Sequence, residues 1–447
     1  MLNIRIFHFI MLFFLFFSCV ATNCYANLIR DSELESILEG FLEPLQKKAG
    51  ISSQVKVRVV LNASYNAFVT NRNVIYLHSG LLLEAETLEE VIGVMAHELG
   101  HIVSGHVARK SESIEIAKNT SSFSTALAAA AAIGGSGELA AGLLIGGNDR
   151  VARQFYYGSR VNEAVADEWA LKMLDELEIS AVSMANMMKR LSRQNVLPES
   201  YQSEYYKTHP GTKQRLAVYE DHVAKSIFNK KLMESLDYKN FERIVGKLSG
   251  YQQRPEEIME KSKNKDLSIN KKYERAIAYF RYGNLKSAKD DIDFLLMAEP
   301  GNPYFYELAG EIAFANKELG SALEYFKEAF DKSGNAPLIA LRLGRILLAT
   351  ENFENFIHAR DILKIAVSGE PELPFARREY AIALGKTGDM ARANWQLAEA
   401  AYLRDNLQEA AIHIERALVE PDLTPELKGN LLDLKFLIEN SQKSKIR

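Results

Sequence analysis

His97-Glu98-Leu99-Gly100-His101 constrains this chain more than any other stretch of it. On an α-helix, residues four apart stand on one face, so the two imidazoles can reach one metal ion together. Glu98 shares their turn, where its carboxylate can take a proton from a metal-bound water. The flanking residues predict that helix. Thr87 can cap its start and Glu90 completes a capping box. No proline interrupts the run from Leu88 to about Arg109, and Val91, Val94, Met95 and Ile102 give it an apolar stripe.

A metal that activates water needs a third protein ligand and an open position. One known spacing places a histidine six residues after the second and a glycine three after it; this chain has Val107 and Ser104 there. His106 lies nine residues past His97, faces away from it at about 100° per residue, and is excluded as a ligand. The other source is a carboxylate on a separate helix, and Asn162-Glu163-Ala164-Val165-Ala166-Asp167 offers one. Glu163 can ligate the metal. Asp167, one turn later, can accept a hydrogen bond from the far nitrogen of a ligating histidine. Ala164 and Ala166 permit close helix packing.

The chain has 447 residues, which at about 100–200 residues per domain predicts two or three domains. With 47% hydrophobic and 25% charged residues it is not a disordered chain. A net charge of -4 gives no support to nucleic acid as a partner. Residues 1–26 read as a signal peptide: Arg5, then a nearly all-apolar run from Ile6 to Val20, then Cys24-Tyr25-Ala26 as a cleavage site. A retained anchor is the competing reading of the same run. Both cysteines, Cys19 and Cys24, fall in this leader. The mature chain would therefore hold no disulfide framework, thiol nucleophile or cysteine metal site. Export without disulfides fits a bacterial periplasm.

Between leader and metal motif, Asp31 to Gly50 has helical periodicity. Residues 55–59, 66–69 and 74–78 read as strands, with a turn at Asn71-Arg72-Asn73, and predict a small antiparallel sheet. Residues 125–147 are rich in Ala and Gly. They read either as a flap in peripheral contact with a membrane or as a buried hairpin.

From about Ser268 a pattern of small residues recurs. Ala276, Ala288 and Pro300 begin it; Gly310, Ala322 and Ala329, then Gly344, Ala359 and Ala366, then Ala381, Ala393 and Ala400 continue it; Ala410, Ala417 and Pro421 close it. A period near 34 with small residues where paired helices cross resembles tetratricopeptide repeats.

The His97–His101 helix, the Glu163-x-x-Ala166-Asp167 helix, the Asn66-Ala67-Phe68 segment and Ser79-Gly80-Leu81-Leu82 together resemble the gluzincin metallopeptidases. A signal peptide before that domain and tetratricopeptide repeats after it resemble one periplasmic branch of them. The resemblance implies one zinc ion per chain, held by His97, His101 and Glu163, with Glu98 as catalytic base. Thr208-His209-Pro210 with Arg215 matches a histidine–proline segment of the family, and implies that His209 can occupy the fourth metal position as a gate. It also implies that the strand holding Asn66, Ala67 and Phe68 binds substrate by strand addition. The implied partners are protein or peptide substrates, the outer-membrane β-barrel assembly machinery and stalled barrel proteins. No oxyanion donor is assigned; His209 and Arg215 are the candidates.

The expected fold is α+β and mainly helical, a gluzincin domain with a small antiparallel sheet followed by an α-solenoid. The expected boundaries are a signal peptide at 1–26, the zinc metallopeptidase domain at 27–225, a helical connector at 226–267, the repeats at 268–425, and a C-terminal helix and tail at 426–447. The expected function is an exported zinc endopeptidase of misfolded or stalled envelope proteins with chaperone-like assistance to barrel assembly. The alternative is a chaperone or scaffold whose peptidase site is latent.

Overall fold

The computed structural model describes residues 28–51, 54–70, 73–106, 149–196, 198, 201–228, 237–263 and 267–446. The expected leader at 1–26 and the Ala/Gly-rich stretch at 125–147 lie outside the described residues. The chain divides into two compact units between Leu248 and Ser249.

The first unit is built on a four-stranded sheet. β1 (Leu28–Ile29), β2 (Lys56–Val60), β3 (Ala67–Thr70) and β4 (Val74–His78) lie in the order β1-β2-β4-β3. The sheet is mixed, which corrects the expectation of an antiparallel one: β2 runs parallel to β4, while β1–β2 and β3–β4 are antiparallel. The turn at Asn73 makes β3 and β4 a hairpin as predicted. The chain from Leu61 to Asn66, however, carries β3 beyond the place beside β2, and β4 fills it on the way back. Among the described residues, β3 is left at a free edge.

Helix α1 (Ser32–Lys48), a short α2 (Ser79–Glu84) and α3 (Leu88–Val103) follow the strands into the core. α1 turns Leu34, Leu38, Leu42 and Leu45 inward at helical spacing, against Val57 and Val59 of β2. α3 lies against β3 and is buried from Leu88 to His101. Thr87 Oγ1 accepts from Glu90 N–H at 3.2 Å, as expected of a cap. The helix ends at Val103 rather than near Arg109, because Ser104 caps it and Gly105 turns left-handed at φ 65. α4 (Asp149–Glu176), α5 (Val182–Ser192), α6 (Glu204–Thr208) and α7 (Thr212–Lys225) complete the unit with the first turns of α8 (Tyr238–Gln252).

The second unit is a helical repeat. After α9 (Pro255–Ser262), antiparallel pairs follow one another: α10 (Ile269–Tyr282) with α11 (Leu285–Ala298), α12 (Pro303–Ala315) with α13 (Leu319–Lys332), α14 (Pro337–Ala349) with α15 (Phe353–Gly369), and α16 (Pro374–Lys386) with α17 (Met390–Leu403). α18 (Leu407–Leu418) and α19 (Pro425–Ile446) close the series. The small residues of the repeat are buried where paired helices cross. A Cβ on Gly310 would stand 2.7 Å from the Phe326 ring of the partner helix. Among the described residues, no helix is long and apolar enough to cross a membrane.

Candidate metal centre

Two helices bring the donors together. α3 presents His97, Glu98 and His101, and α4 presents Glu163 and Asp167. Their approach is set by Gly100, whose added Cβ would meet Ala166 O at 3.0 Å and Ala166 Cα at 3.2 Å. Ala166 is fully buried at this crossing, whereas Ala164 is exposed and takes no part in it. Glu163 and Asp167 flank Ala166, so the same backbone contact that needs Gly100 carries both carboxylates to the histidines. His209 arrives from the end of α6, where it is the cap residue, and Gly211 (φ 88) turns the chain into α7.

Among the described residues, His97, His101, Glu163 and His209 form a buried group whose donor atoms all lie within 4.8 Å of one another. The Nε2 atoms of His97 and His101 are 3.1 Å apart. His97 Nε2 is 3.3 Å from Glu163 Oε2, and His101 Nε2 is 3.4 Å from Glu163 Oε1. His209 Nδ1 is 3.0 Å from Glu163 Oε2 and 3.4 Å from His97 Nε2. A tetrahedral zinc with nitrogen and oxygen ligands at about 2.0–2.1 Å has ligand–ligand edges of about 3.3 Å. With Glu163 Oε2 as its donor, the four edges His97–His101, His97–Glu163, His209–Glu163 and His97–His209 run from 3.0 to 3.4 Å and match such an ion, and three imidazoles with one carboxylate are a donor set that suits it. Glu98 is 1% exposed, and its Oε1 accepts no hydrogen bond among the described residues; His209 Nε2 stands 3.5 Å from it.

Outside the donors lies a brace. Asp167 Oδ1 accepts from His97 Nδ1 at 2.9 Å. Arg215 donates to both Asp167 oxygens, Nε to Oδ2 at 2.6 Å and Nη2 to Oδ1 at 2.8 Å, and Tyr219 OH donates to Oδ1 at 2.9 Å. Arg215 Nη1 also lies 3.0 Å from Glu163 Oε2 and donates to the His209 carbonyl at 3.3 Å. This corrects one of the two oxyanion candidates: Arg215 is committed to two carboxylates and a carbonyl. Burial opposes ionisation of Glu163, but the His209 and Arg215 charges hold its carboxyl well below the usual range. Burial likewise opposes ionisation of Asp167, and Arg215 and His97 outweigh it to hold that carboxyl down. Burial and the Arg215 charge pull His97 down, yet the bonds from Asp167 and Glu163 bring it up to about 9.

His106 stays outside the donor group, but it is not a bystander. Its Nδ1 lies 2.9 Å from His101 Nδ1 in a buried contact. The helical wheel misplaces it because the helix has ended three residues earlier. Asn66, Ala67 and Phe68 run along the other side of the site. His209 Nε2 lies 3.3 Å from the Ala67 carbonyl, Thr208 Oγ1 donates to Asn66 Oδ1 at 3.3 Å, and Phe68 stacks on Tyr76 at 5.0 Å. Sequence reasoning missed Tyr205, whose ring stacks on His209 at 4.2 Å, and Tyr219. The spacing of Arg215 and Tyr219, one turn apart on α7, was the available signal.

A helix with two histidines, a second helix with a carboxylate, and an edge strand beside them define a metallopeptidase. Residues 29–223 match the model of peptidase family M48. Among curated relatives, metalloprotease LoiP of Escherichia coli (strain K12) is 30% identical over 171 residues, 38% of this chain and 63% of that protein. The beta-barrel assembly-enhancing protease of the same organism is 26% identical over 299 residues, 65% of this chain and 60% of that protein. The chain thus spans less than two thirds of the length of these relatives. Among solved structures, a MamA structure matches 38% of this chain and 95% of its own length at 17% identity, with a TM-score of 0.31. The tetratricopeptide protein YrrB matches 42% and 97% at 17% identity, with a TM-score of 0.30.

Proposed function

We propose that the chain is a zinc-dependent endopeptidase of the HExxH, gluzincin type, exported to the bacterial periplasm. The observation that carries this is the convergence of His97, His101 and Glu163 on one buried point, with the Glu98 carboxylate beside it. Zinc bound there would lower the pKa of its water towards about 7 and polarise the substrate carbonyl. Glu98 Oε1 then takes the proton of the attacking water and passes it to the leaving amide nitrogen. Asp167 fixes His97 with Nδ1–H outward and Nε2 free to donate. β3 aligns the substrate backbone by strand addition. The name of one relative, beta-barrel assembly-enhancing protease, supports a link to β-barrel assembly; the clients in this reading are misfolded or stalled outer-membrane barrel proteins, with the helical repeats as the surface that holds a client or the assembly machinery.

A second reading, a chaperone or scaffold with a latent site, is favoured by His209 standing as a fourth donor. One experiment separates them: zinc content and casein hydrolysis of the purified protein, its Glu98→Gln variant and its His209→Ala variant. One zinc per chain, hydrolysis lost in Glu98→Gln and raised in His209→Ala, is expected of a gated peptidase. Zinc without hydrolysis in any variant means a scaffold, and no zinc removes the proposal.

A further inference from the structure

The inner edge of β3 is spent on β4. Asn66 O accepts from His78 N–H at 3.0 Å, and the register continues Ala67 opposite Leu77 and Phe68 opposite Tyr76. In an antiparallel pair, hydrogen-bonded and non-bonded positions alternate. Asn66, Phe68 and Thr70 therefore point their backbone groups at β4, and Ala67 and Val69 point theirs at the free edge. The outward acceptors and donors available to a substrate strand are those of Ala67 and Val69.

One of them is already taken. His209 Nε2 lies 3.3 Å from Ala67 O. A bond there places the ring proton on Nε2 and leaves Nδ1 with a bare lone pair. That same Nδ1 is the atom 3.0 Å from Glu163 Oε2 and 3.4 Å from His97 Nε2. One imidazole thus spans the substrate edge and the metal donors. Its anchorage is to the chain that enters β3: Tyr205 N–H donates to Tyr65 O at 3.1 Å, and Ser64 Oγ donates to Glu204 Oε2 at 2.9 Å.

We infer that a substrate strand and His209 compete for the Ala67 carbonyl, so that pairing of substrate with β3 withdraws His209 from the donor set. This rests on the metallopeptidase reading and adds what opens the site. It also sets a substrate requirement: the residue facing Ala67 must bring a backbone N–H, so an extended, strand-forming segment without proline at that position is the class that releases His209.

The test uses the full chain in a Glu98→Gln background, loaded with cobalt(II), and a fluorescent Thr/Val-rich peptide as probe. Fluorescence anisotropy reads peptide affinity, and visible absorption reads the cobalt coordination. Adding His209→Ala is expected to tighten peptide binding about tenfold, the value of one competing hydrogen bond. The peptide is expected to change the cobalt spectrum of the parent and leave that of the His209→Ala variant unchanged. A peptide N-methylated at alternate residues, which needs no change to the protein, is expected to do neither. Metal bound, with peptide affinity unmoved by His209→Ala, overturns the competition alone. Full binding of the N-methylated peptide overturns strand addition and the competition with it. Failure of the parent to bind cobalt or zinc overturns the metallopeptidase reading itself.

Discussion

His97 Nδ1 and Asp167 Oδ1 meet at 2.9 Å across the crossing of α3 and α4, and Arg215 and Tyr219 hold the carboxylate from the far side. The carboxylate fixes the tautomer of His97 and adds electron density to its ligating nitrogen. Asp167→Asn keeps the shape and loses the charge, and its amide can present N–H where the ring needs an acceptor. Loss of such an outer partner costs about 10–100-fold in metal affinity. Chelator competition on the purified protein is expected to show a loss in that range for Asp167→Asn and none for Glu98→Gln.

His101 is supported differently. With Nε2 turned to the donors, its Nδ1–H donates to His106 Nδ1 at 2.9 Å, an imidazole in place of a carboxylate. His106→Ala is expected to weaken metal binding by about tenfold, towards the low end of outer-partner effects. His106→Gln, which can offer a carbonyl acceptor, is expected to recover part of it. Equal thermal melting of the metal-free variants separates this positioning role from a general loss of folding.

The sequence made the metal motif, its helix and the repeats legible because each is a local pattern: an i, i+4 pair, a capped apolar stripe, small residues at a recurring spacing. Glu163 was reachable only by pairing two such patterns. What stayed hidden depends on chain paths that no local pattern records. The parallel pairing of β2 with β4 follows from where Leu61–Asn66 leads the chain. The contact between His106 and His101 follows from a helix that stops at Val103, and the engagement of Arg215 from the turn at Gly211. The helical wheel extended past Ser104 gave the wrong environment for His106 while rightly leaving it out of the donor group.

His78 makes the segment before β3 sensitive to acid. Its ring is lowered from its ordinary value by burial, against the opposing pull of the Glu204 charge, and Ser64 Oγ lies 2.8 Å from its Nδ1. A group whose folded pKa is depressed contributes stability above the unfolded value of 6.5 and loses it as pH falls through the folded one. Amide exchange of residues 61–67 and 204–209 is expected to quicken on acidification below about pH 6.5, relative to the rest of the first unit. His78→Gln is expected to abolish that pH dependence.

Gly100 offers the sharpest separation of site from fold. Its missing Cβ lets the α4 backbone approach at Ala166, and that backbone cannot rotate aside as a side chain would. Gly100→Val must widen the crossing. Such overpacking costs about 1–3 kcal/mol. The donors sit on both helices, so the same widening stretches the edges from His97 and His101 to Glu163, now 3.3 and 3.4 Å. Metal affinity is expected to fall more than tenfold, with melting of the first unit lowered and the helical repeats unaffected. Zinc titration alongside limited proteolysis checks both parts. A Gly100→Val protein that melts early yet binds zinc as tightly as its parent would show that the donors are not held by this crossing.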